Sequence, residues 1–193
     1  MVAVGTDVTP NLRERILDTA LQLMSEQGAA GTSMRQLASA CGVQVAAIYH
    51  YFDSKDALIA AVVAERQYGT RLRDALPIDV DGSAEDRLRQ VFMSVWNGAI
   101  EEEAIWRLMI AEGIRGEPSV LPTGRELIDL LTPAFLGWVR QWVPEMEHPE
   151  ATAQLMVGQM LMGFMRHVFN PALGAEVIGA SCADALVEAA FAA

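Results

Sequence analysis

Apolar residues recur along the chain at spacings of three and four positions, which places them on one face of a helix. No stretch alternates apolar and polar residues for long enough to make a convincing strand. Thr9 is the expected N-cap of the first helix, and Gly28 its expected stop. The apolar stripe of this helix is Leu12, Ile16, Ala20, Leu23 and Met24. The pattern predicts an all-α fold of about nine helices.

Polar residues and glycines mark short helices over the next stretch. Ser33 and Gln36 fit a capping box that opens a second helix, and Gly42 suits the tight turn that ends it. A third helix is predicted over about 44–51, and a fourth begins at Lys55. Two short helices joined by a glycine-containing turn and braced by a preceding helix form a helix-turn-helix, whose second helix fits the major groove of DNA.

The amino-acid composition narrows the class of protein. Hydrophobic residues make up 52% of the 193 residues, a surplus typical of an oligomer interface, a lined pocket or a membrane segment. The longest apolar run, Leu155–Met165, is about half the length that a spanning helix needs, so we expect no membrane partner. Met1–Thr9 does not resemble a signal peptide. Cys41 and Cys182 lie far apart, so reduced thiols in the cytoplasm are expected, with Cys41 in the core rather than acting as a redox sensor.

The net charge of −11, taken alone, disfavours binding to nucleic acid, but the charge is unevenly distributed. Residues 1–75 carry seven basic and eight acidic side chains, whereas residues 76–193 carry seven basic and seventeen acidic ones. A near-neutral head can therefore be presented to DNA while phosphate repels the acidic body.

Three segments carry a resemblance to a known family: Thr32–Ala38, Cys41–Val43 and Ile48–Leu58. In order and spacing they resemble the T-x-x-x-I/L-A, A-G-V and L-Y-x-Y/H-F-x-S/N-K-x-x-L pattern of the TetR family of transcriptional regulators. The resemblance covers about residues 10–60 of the chain.

The resemblance implies a helix-turn-helix DNA-binding domain at 10–56 and a ligand-binding and dimerisation domain at 57–193. A helix over 55–74 would link the two domains. The implied function is a ligand-responsive repressor that binds a palindromic operator in double-stranded DNA as a homodimer and is released by a small apolar effector. The alternative is an activator, or a regulator without a small-molecule effector.

The resemblance also assigns roles to residues of the head. Lys55, the only lysine of the chain, lies at the amino end of the fourth helix, where charge and free N–H groups favour a phosphate. The implied phosphate contacts are Thr32, Ser33, Tyr49, Tyr51 and Lys55. The implied candidates for base edges are Arg35, Gln44, Val45, Ala46 and His50.

Simpler interpretations stay open for part of this set. Arg35 and His50 can be exposed polar residues without a function, whereas Phe52 is expected in the core. Gln44 stands where the family usually has Ser or Thr, so the third helix should be capped less well. Val45 and Ala46 offer few hydrogen bonds, so specificity should depend on methyl contacts and DNA shape.

The C-terminal body is predicted to be helical throughout. Pro133 should kink one of these helices or restart it with Thr132 as cap. The predicted helices lie at about 84–102, 104–115, 120–143, 150–169 and 175–191. Their aromatic and methionine stripes either pack a core or surround a cavity for an apolar ligand, and the resemblance favours the cavity. The candidate ligand-binding residues are Phe92, Trp96, Trp106, Met109, Phe135 and Trp138.

The last two predicted helices are apolar nearly all round, so they must be buried on more than one side. A four-helix bundle with a second copy provides that burial, as in the family. The candidate interface residues are Met156, Met160, Leu161, Phe164, Cys182 and Leu186. Such a dimer would hold two recognition helices about 34–36 Å apart, or a multiple of that distance.

An enzyme is the main rival class. His50, His148 and His167 are scattered, and the chain shows no Ser/His/Asp order, glycine-rich phosphate loop or metal-ligand cluster. We therefore expect no catalytic residues, no cofactor and no metal site.

Overall fold

The computed structural model describes residues 11–65 and 78–192, and every regular element within those ranges is a helix. The helices are α1 (Leu12–Gly31), α2 (Met34–Cys41), α3 (Val45–Tyr49), α4 (Lys55–Glu65), α5 (Ala84–Glu101), α6 (Glu103–Arg115), α7 (Leu121–Trp142), α8 (Pro149–Phe169) and α9 (Ala175–Phe191). A short 3-10 turn, Pro171–Leu173, separates α8 from α9. The predicted all-α class is confirmed.

The first helix, α1, has a different N-cap from the predicted one, but its regular geometry stops at the predicted glycine. Asn11 is the N-cap, because its side-chain oxygen accepts a hydrogen bond from the N–H of Glu14 at 3.0 Å. The predicted cap, Thr9, lies outside the described residues. Gly28 interrupts the helix with φ +78° and ψ 155°, so regular helical geometry stops where predicted and residues 29–31 form one further turn.

The two short helices begin and end as the sequence predicts. The Ser33 hydroxyl accepts the N–H of Gln36 at 3.1 Å, and the Gln36 side chain accepts the N–H of Ser33 at 2.8 Å. Gly42 adopts φ +67° at the end of α2. Gln44 precedes α3 without a side-chain cap hydrogen bond, which confirms the weaker cap.

The chain divides into two compact units. The first unit contains α1–α4 together with Ala104–Gly124, and the second contains α5, Glu103 and the chain from Arg125 onward. This grouping differs from the predicted boundary, because nearly all of α6 belongs with the head rather than with the remaining C-terminal helices. Of the predicted linking helix 55–74, residues 66–74 lie outside the described residues.

In the first unit, α1 packs against α2 and α4, and α2 packs against α3. The core residues come from one face of each helix, and Phe52 and Cys41 are buried as predicted. The other core side chains of these helices include Ile16, Leu17, Met24, Leu37, Ile48 and Leu58.

In the second unit, α9 packs against both α5 and α8. The long helix α7 runs through Pro133 as one helix, so it does not restart there. Within the described ranges, no helix has the length and apolar character needed to cross a membrane.

Candidate nucleic-acid interface

The exposed surface of the helix-turn-helix carries most of the predicted DNA-contacting side chains. On and after α3, Tyr49 is 47% exposed and Tyr51 is 40% exposed. The ring and hydroxyl of an exposed tyrosine can both contact a partner surface. His50 lies between them in the sequence and packs edge-on against Tyr51, with ring centroids 5.2 Å apart. These three neighbouring side chains present two hydroxyls and an imidazole to solvent.

Lys55 is the first residue of α4, as predicted. Ser54 caps this helix through a 3.0 Å hydrogen bond from the N–H of Ala57 to its hydroxyl. The Nζ of Lys55 lies 3.5 Å from the carbonyl oxygen of Ala30. Lys55 therefore stands beside the segment that leads into Ser33 and α2, and the structure brings these two predicted phosphate contacts to the same turn.

Thr32 is a correction to the predicted set. Its side chain is only 1% exposed, and its hydroxyl donates to the carbonyl of Gly28 at 3.0 Å. Its own N–H donates to the carbonyl of Ala29 at 3.2 Å. Both of its donors satisfy the end of α1, so the hydroxyl is not available to a phosphate.

The candidates for base edges are largely exposed. Arg35, Gln44, Ala46 and His50 all face solvent, and Val45 is half-buried. Exposure is required for a base contact but does not establish one. Their roles, and those of Ser33, Tyr49, Tyr51 and Lys55, stay predictions.

Two arginines of α1 bind other parts of the head through hydrogen bonds and an ion pair. The guanidinium of Arg15 donates to the carbonyl of Cys41 at 3.1 Å, which ties α1 to the end of α2. Arg13 forms a two-pronged ion pair with Glu65 at 2.6 and 2.5 Å and lies 5.4 Å from the centre of the Phe52 ring. The hydrogen bonds to Glu65 raise the pKa of Arg13 above its ordinary value.

Sequence reasoning missed two residues of the first unit, Glu112 and Arg115. Glu112 is buried in α6 and accepts a hydrogen bond from the N–H of Ala29 at 3.0 Å. Arg115 donates to the same carboxylate oxygen at 2.6 Å. A signal was present in the sequence, because an acidic residue directly after Met109-Ile110-Ala111 interrupts an apolar stretch and has a basic partner three positions later.

The candidate ligand-binding residues are divided between the two units. Phe92, Trp96, Phe135 and Trp138 lie buried in the second unit, where the rings of Phe135 and Trp138 stack at a centroid distance of 5.3 Å. The indole N–H of Trp96 is already engaged, since it donates to the carbonyl of Ala175 at 2.9 Å. In the first unit, Met109 is buried and Trp106 is half-buried. Their role in ligand binding stays a prediction.

The candidate interface residues fall into two groups, one buried within the chain and one at least partly exposed to solvent. Met156, Phe164, Cys182 and Leu186 are buried within a single copy of the chain, so they are not available to a second copy in this conformation. Leu161 is exposed and Met160 is half-buried. Periodicity could not separate these groups, because helices that are apolar all round show more than one apolar stripe.

The described residues contain no candidate metal site. Within residues 11–65 and 78–192, no three His, Cys, Asp or Glu side chains are grouped so that they could hold a metal ion.

The geometry of the head agrees with the comparison to known proteins. Residues 16–62 match the family model described as bacterial regulatory proteins, tetR family. The helix-turn-helix head is therefore of the TetR type. Among curated relatives, the HTH-type transcriptional regulator UidR of Escherichia coli K12 is 31% identical over 110 residues, which are 57% of this chain and 55% of UidR.

A second curated relative, also an HTH-type transcriptional regulator, extends the match only slightly further. BetI of Rhizobium meliloti is 30% identical over 122 residues, 61% of this chain and 58% of BetI. The chain thus matches about half the length of the curated relatives, and all of those named here are transcriptional regulators, in agreement with the expectation that the chain is not an enzyme.

Solved structures reproduce the fold over nearly the whole chain. Salmonella enterica GusR is 22% identical with a TM-score of 0.68, covering 98% of this chain and 100% of its own. A transcriptional regulator from Rhodococcus sp. Rha1 is 17% identical with a TM-score of 0.71, covering 93% and 96%. At these identities the likeness establishes the fold alone, including that of the C-terminal helices.

Proposed function

We propose that this chain is a ligand-responsive transcriptional repressor of the TetR family that binds a palindromic operator as a homodimer and is released by a mostly apolar small molecule. The observation that carries the DNA-binding part is the exposure of Tyr49 and Tyr51 beside a helix-turn-helix, with Lys55 at the amino end of α4. Hydroxyls and an ammonium group at helix ends are suited to phosphate oxygens.

The DNA contact is tested with the double variant Lys55→Ala, Tyr49→Ala on the purified chain and a selected palindromic duplex. Loss of the charged Lys55 contact should reduce the slope of log K against log salt by about 0.9, whereas loss of the neutral Tyr49 contact should weaken binding without changing the slope. The double variant should therefore bind more weakly and with a shallower salt dependence. Arg125→Ala removes a positive charge from an exposed position of α7 and serves as the matched control. Equal affinity of wild type and double variant at two salt concentrations would contradict DNA binding by this surface.

The homodimer is supported by an unpartnered apolar stripe on α8. Leu155, Met162 and Phe169 are spaced seven residues apart, which places them along one side of the helix. All three are exposed, Phe169 to 78%. The other exposed apolar side chains of α8, the 3-10 turn and the start of α9 are Leu161, Leu173 and Val177. Burial of such a surface stabilises association by roughly 25 cal/mol for each square ångström, so a second copy is the proposed occupant.

The oligomeric state provides the test of this surface. The double variant Met162→Glu, Phe169→Glu should sediment as a monomer at concentrations where the wild type is a dimer, because two charges from each copy would have to be desolvated in the interface. Ile128→Glu, at an exposed apolar position of α7, is the control and should leave the dimer intact. A wild-type monomer at micromolar concentration would refute the dimer.

The effector proposal is supported by the aromatic side chains of the second unit. The rings of Phe135 and Trp138 are buried and stacked, and apolar ring faces of this kind are suited to pack against a mostly apolar ligand. Apolar aromatic compounds should change the tryptophan fluorescence in a saturable way and release the operator over the same concentration range. Trp138→Leu should shift both titrations together. Release without any dependence on this residue would contradict the assignment.

A further inference from the structure

We propose that Glu112 and Arg115 of α6 hold the turn 28–32 in the position that presents Ser33 and Lys55 to DNA. The inference rests on the proposed DNA binding and assigns positioning residues to it. It deepens that function by adding a part of the chain that lies far from the helix-turn-helix in sequence.

The first step is the burial of the Glu112 carboxylate. Within the described residues it is the one charged side chain in the core, at 3% exposed. A buried carboxylate is expensive unless it is paired and hydrogen-bonded. Its Oε1 meets both conditions, because it accepts from the backbone N–H of Ala29 at 3.0 Å and from the guanidinium of Arg115 at 2.6 Å. The Ala29 N–H is itself buried and would otherwise lack a partner at the break in α1.

The second step is the close approach of Arg115 to the turn. A Cβ atom on Gly28 would lie 3.1 Å from Nη1 of Arg115 and 3.4 Å from Nη2. The guanidinium therefore rests directly against the backbone of the turn. The φ of +78° at Gly28 favours glycine, and the missing Cβ also leaves room for the guanidinium of Arg115.

The third step leads from the turn to the predicted phosphate contacts. The hydroxyl of Thr32 donates to the carbonyl of Gly28, and its N–H to the carbonyl of Ala29, so the turn is closed on itself. Ser33 follows directly as the N-cap of α2. The Nζ of Lys55 lies 3.5 Å from the carbonyl of Ala30. A displacement of the turn therefore moves Ser33 and takes the Ala30 carbonyl away from the Nζ of Lys55.

The C-terminal end of α6, which carries Glu112 and Arg115, is held by backbone hydrogen bonds. Gly116 adopts φ +75°, and its N–H donates to the carbonyl of Gly113 at 3.0 Å. The N–H of Glu117 donates to the carbonyl of Glu112, also at 3.0 Å. This glycine cap satisfies the last carbonyls of the helix, which keeps Glu112 and Arg115 on a regular final turn.

The experiment compares operator binding by wild type, Glu112→Ala and Glu112→Gln. We expect Glu112→Ala to weaken binding about tenfold and to reduce the salt slope by about one phosphate contact. The change in slope separates positioning from general destabilisation, which would lower the active fraction but leave the slope unchanged. Glu112→Gln retains an acceptor for the Ala29 N–H and should recover most of the affinity. Glu126→Gln, at an exposed position of α7, controls for the loss of one negative charge.

A second measurement is made on the free protein and does not depend on DNA. Hydrogen exchange of the Ala29 amide should be slow in wild type and Glu112→Gln, and at least tenfold faster in Glu112→Ala, because exchange of a bonded, buried amide needs local opening. Should Glu112→Ala fail to fold, Arg115→Met carries the same comparison, with a smaller loss of affinity and the same direction of slope change.

The outcomes separate the two proposals. Absence of wild-type binding to any selected duplex overturns the proposed function itself. Wild-type binding together with unchanged affinity and unchanged salt slope in the folded Glu112→Ala variant overturns the positioning role alone. Equal exchange of the Ala29 amide in wild type and Glu112→Ala also overturns it.

Discussion

Replacement of Gly179 by alanine should destabilise the second unit, because this glycine of α9 lies against the indole of Trp96. A Cβ atom at Gly179 would stand 2.4 Å from both Cδ1 and Nε1 of the ring, and 2.9 Å from Cγ. These atoms are close to the attached end of the side chain, so the ring cannot yield by bending its tip. Trp96 must move as a whole, although it is fully buried.

The magnitude follows from three contributions. Overpacking of a filled core costs about 1–3 kcal/mol. The shift also breaks the 2.9 Å hydrogen bond from Trp96 to the carbonyl of Ala175, and a buried donor without a partner costs about 1–3 kcal/mol. Alanine in place of glycine inside a helix returns up to about 1 kcal/mol. We expect a net loss of about 3 kcal/mol in the free energy of unfolding.

Urea unfolding followed by circular dichroism and tryptophan fluorescence measures this loss, at one protomer concentration for all variants. The matched control is Gly137→Ala in α7, at an exposed position where no described atom lies within 4 Å of the added Cβ. The control should be as stable as wild type or more stable, by up to about 1 kcal/mol. Equal stability of Gly179→Ala and Gly137→Ala would refute the packing argument.

Two further predictions concern titratable groups. The hydroxyl and the N–H of Ser83 donate hydrogen bonds to the carboxylate of Asp86, which lowers the pKa of this carboxyl below the ordinary 3.8. Because the pKa is lower in the folded state, the stabilisation from Asp86 is complete above the ordinary pKa and is lost as the pH falls through the folded-state pKa. The difference in stability between wild type and Asp86→Asn should therefore shrink in acid unfolding measured below pH 3.8, and a difference that stays constant with pH would contradict this. Burial raises the pKa of the Cys182 thiol, and Cys41 is also buried. Alkylation at neutral pH should therefore label neither thiol in the folded protein and both thiols in urea. Rapid labelling of the folded chain would contradict this.

The features that could be predicted from the sequence are local ones. The capping box of Ser33 and Gln36 needs only residues three positions apart, and the left-handed turn at Gly42 needs only a residue without Cβ. The missing side-chain cap at Gln44 follows in the same way from a single side chain. Helix class and approximate bounds were therefore within reach of periodicity and caps.

The features that could not be predicted depend on which neighbour a side chain meets. The hydroxyl of Thr32 turns inward to the carbonyl of Gly28, a choice that the preceding helix end determines. Met156 lies in the core of its own copy while Met162 is exposed, although both are apolar residues of one helix that is apolar nearly all round. The grouping of Ala104–Gly124 with the head arises from contacts with residues about eighty positions away, which no local pattern encodes.

The solitary lysine at the start of α4 makes the chain unusual as a chemical substrate. Reagents directed at side-chain amines, such as acetylating agents or formaldehyde, meet one target here, because every other basic side chain besides histidine is an arginine. A single acetyl group would erase the ammonium charge beside the Ala30 carbonyl without altering any other residue. Isotope-labelled methyl groups introduced by reductive methylation would likewise place one side-chain reporter signal at this helix start, so that operator occupancy could be followed by NMR from one position.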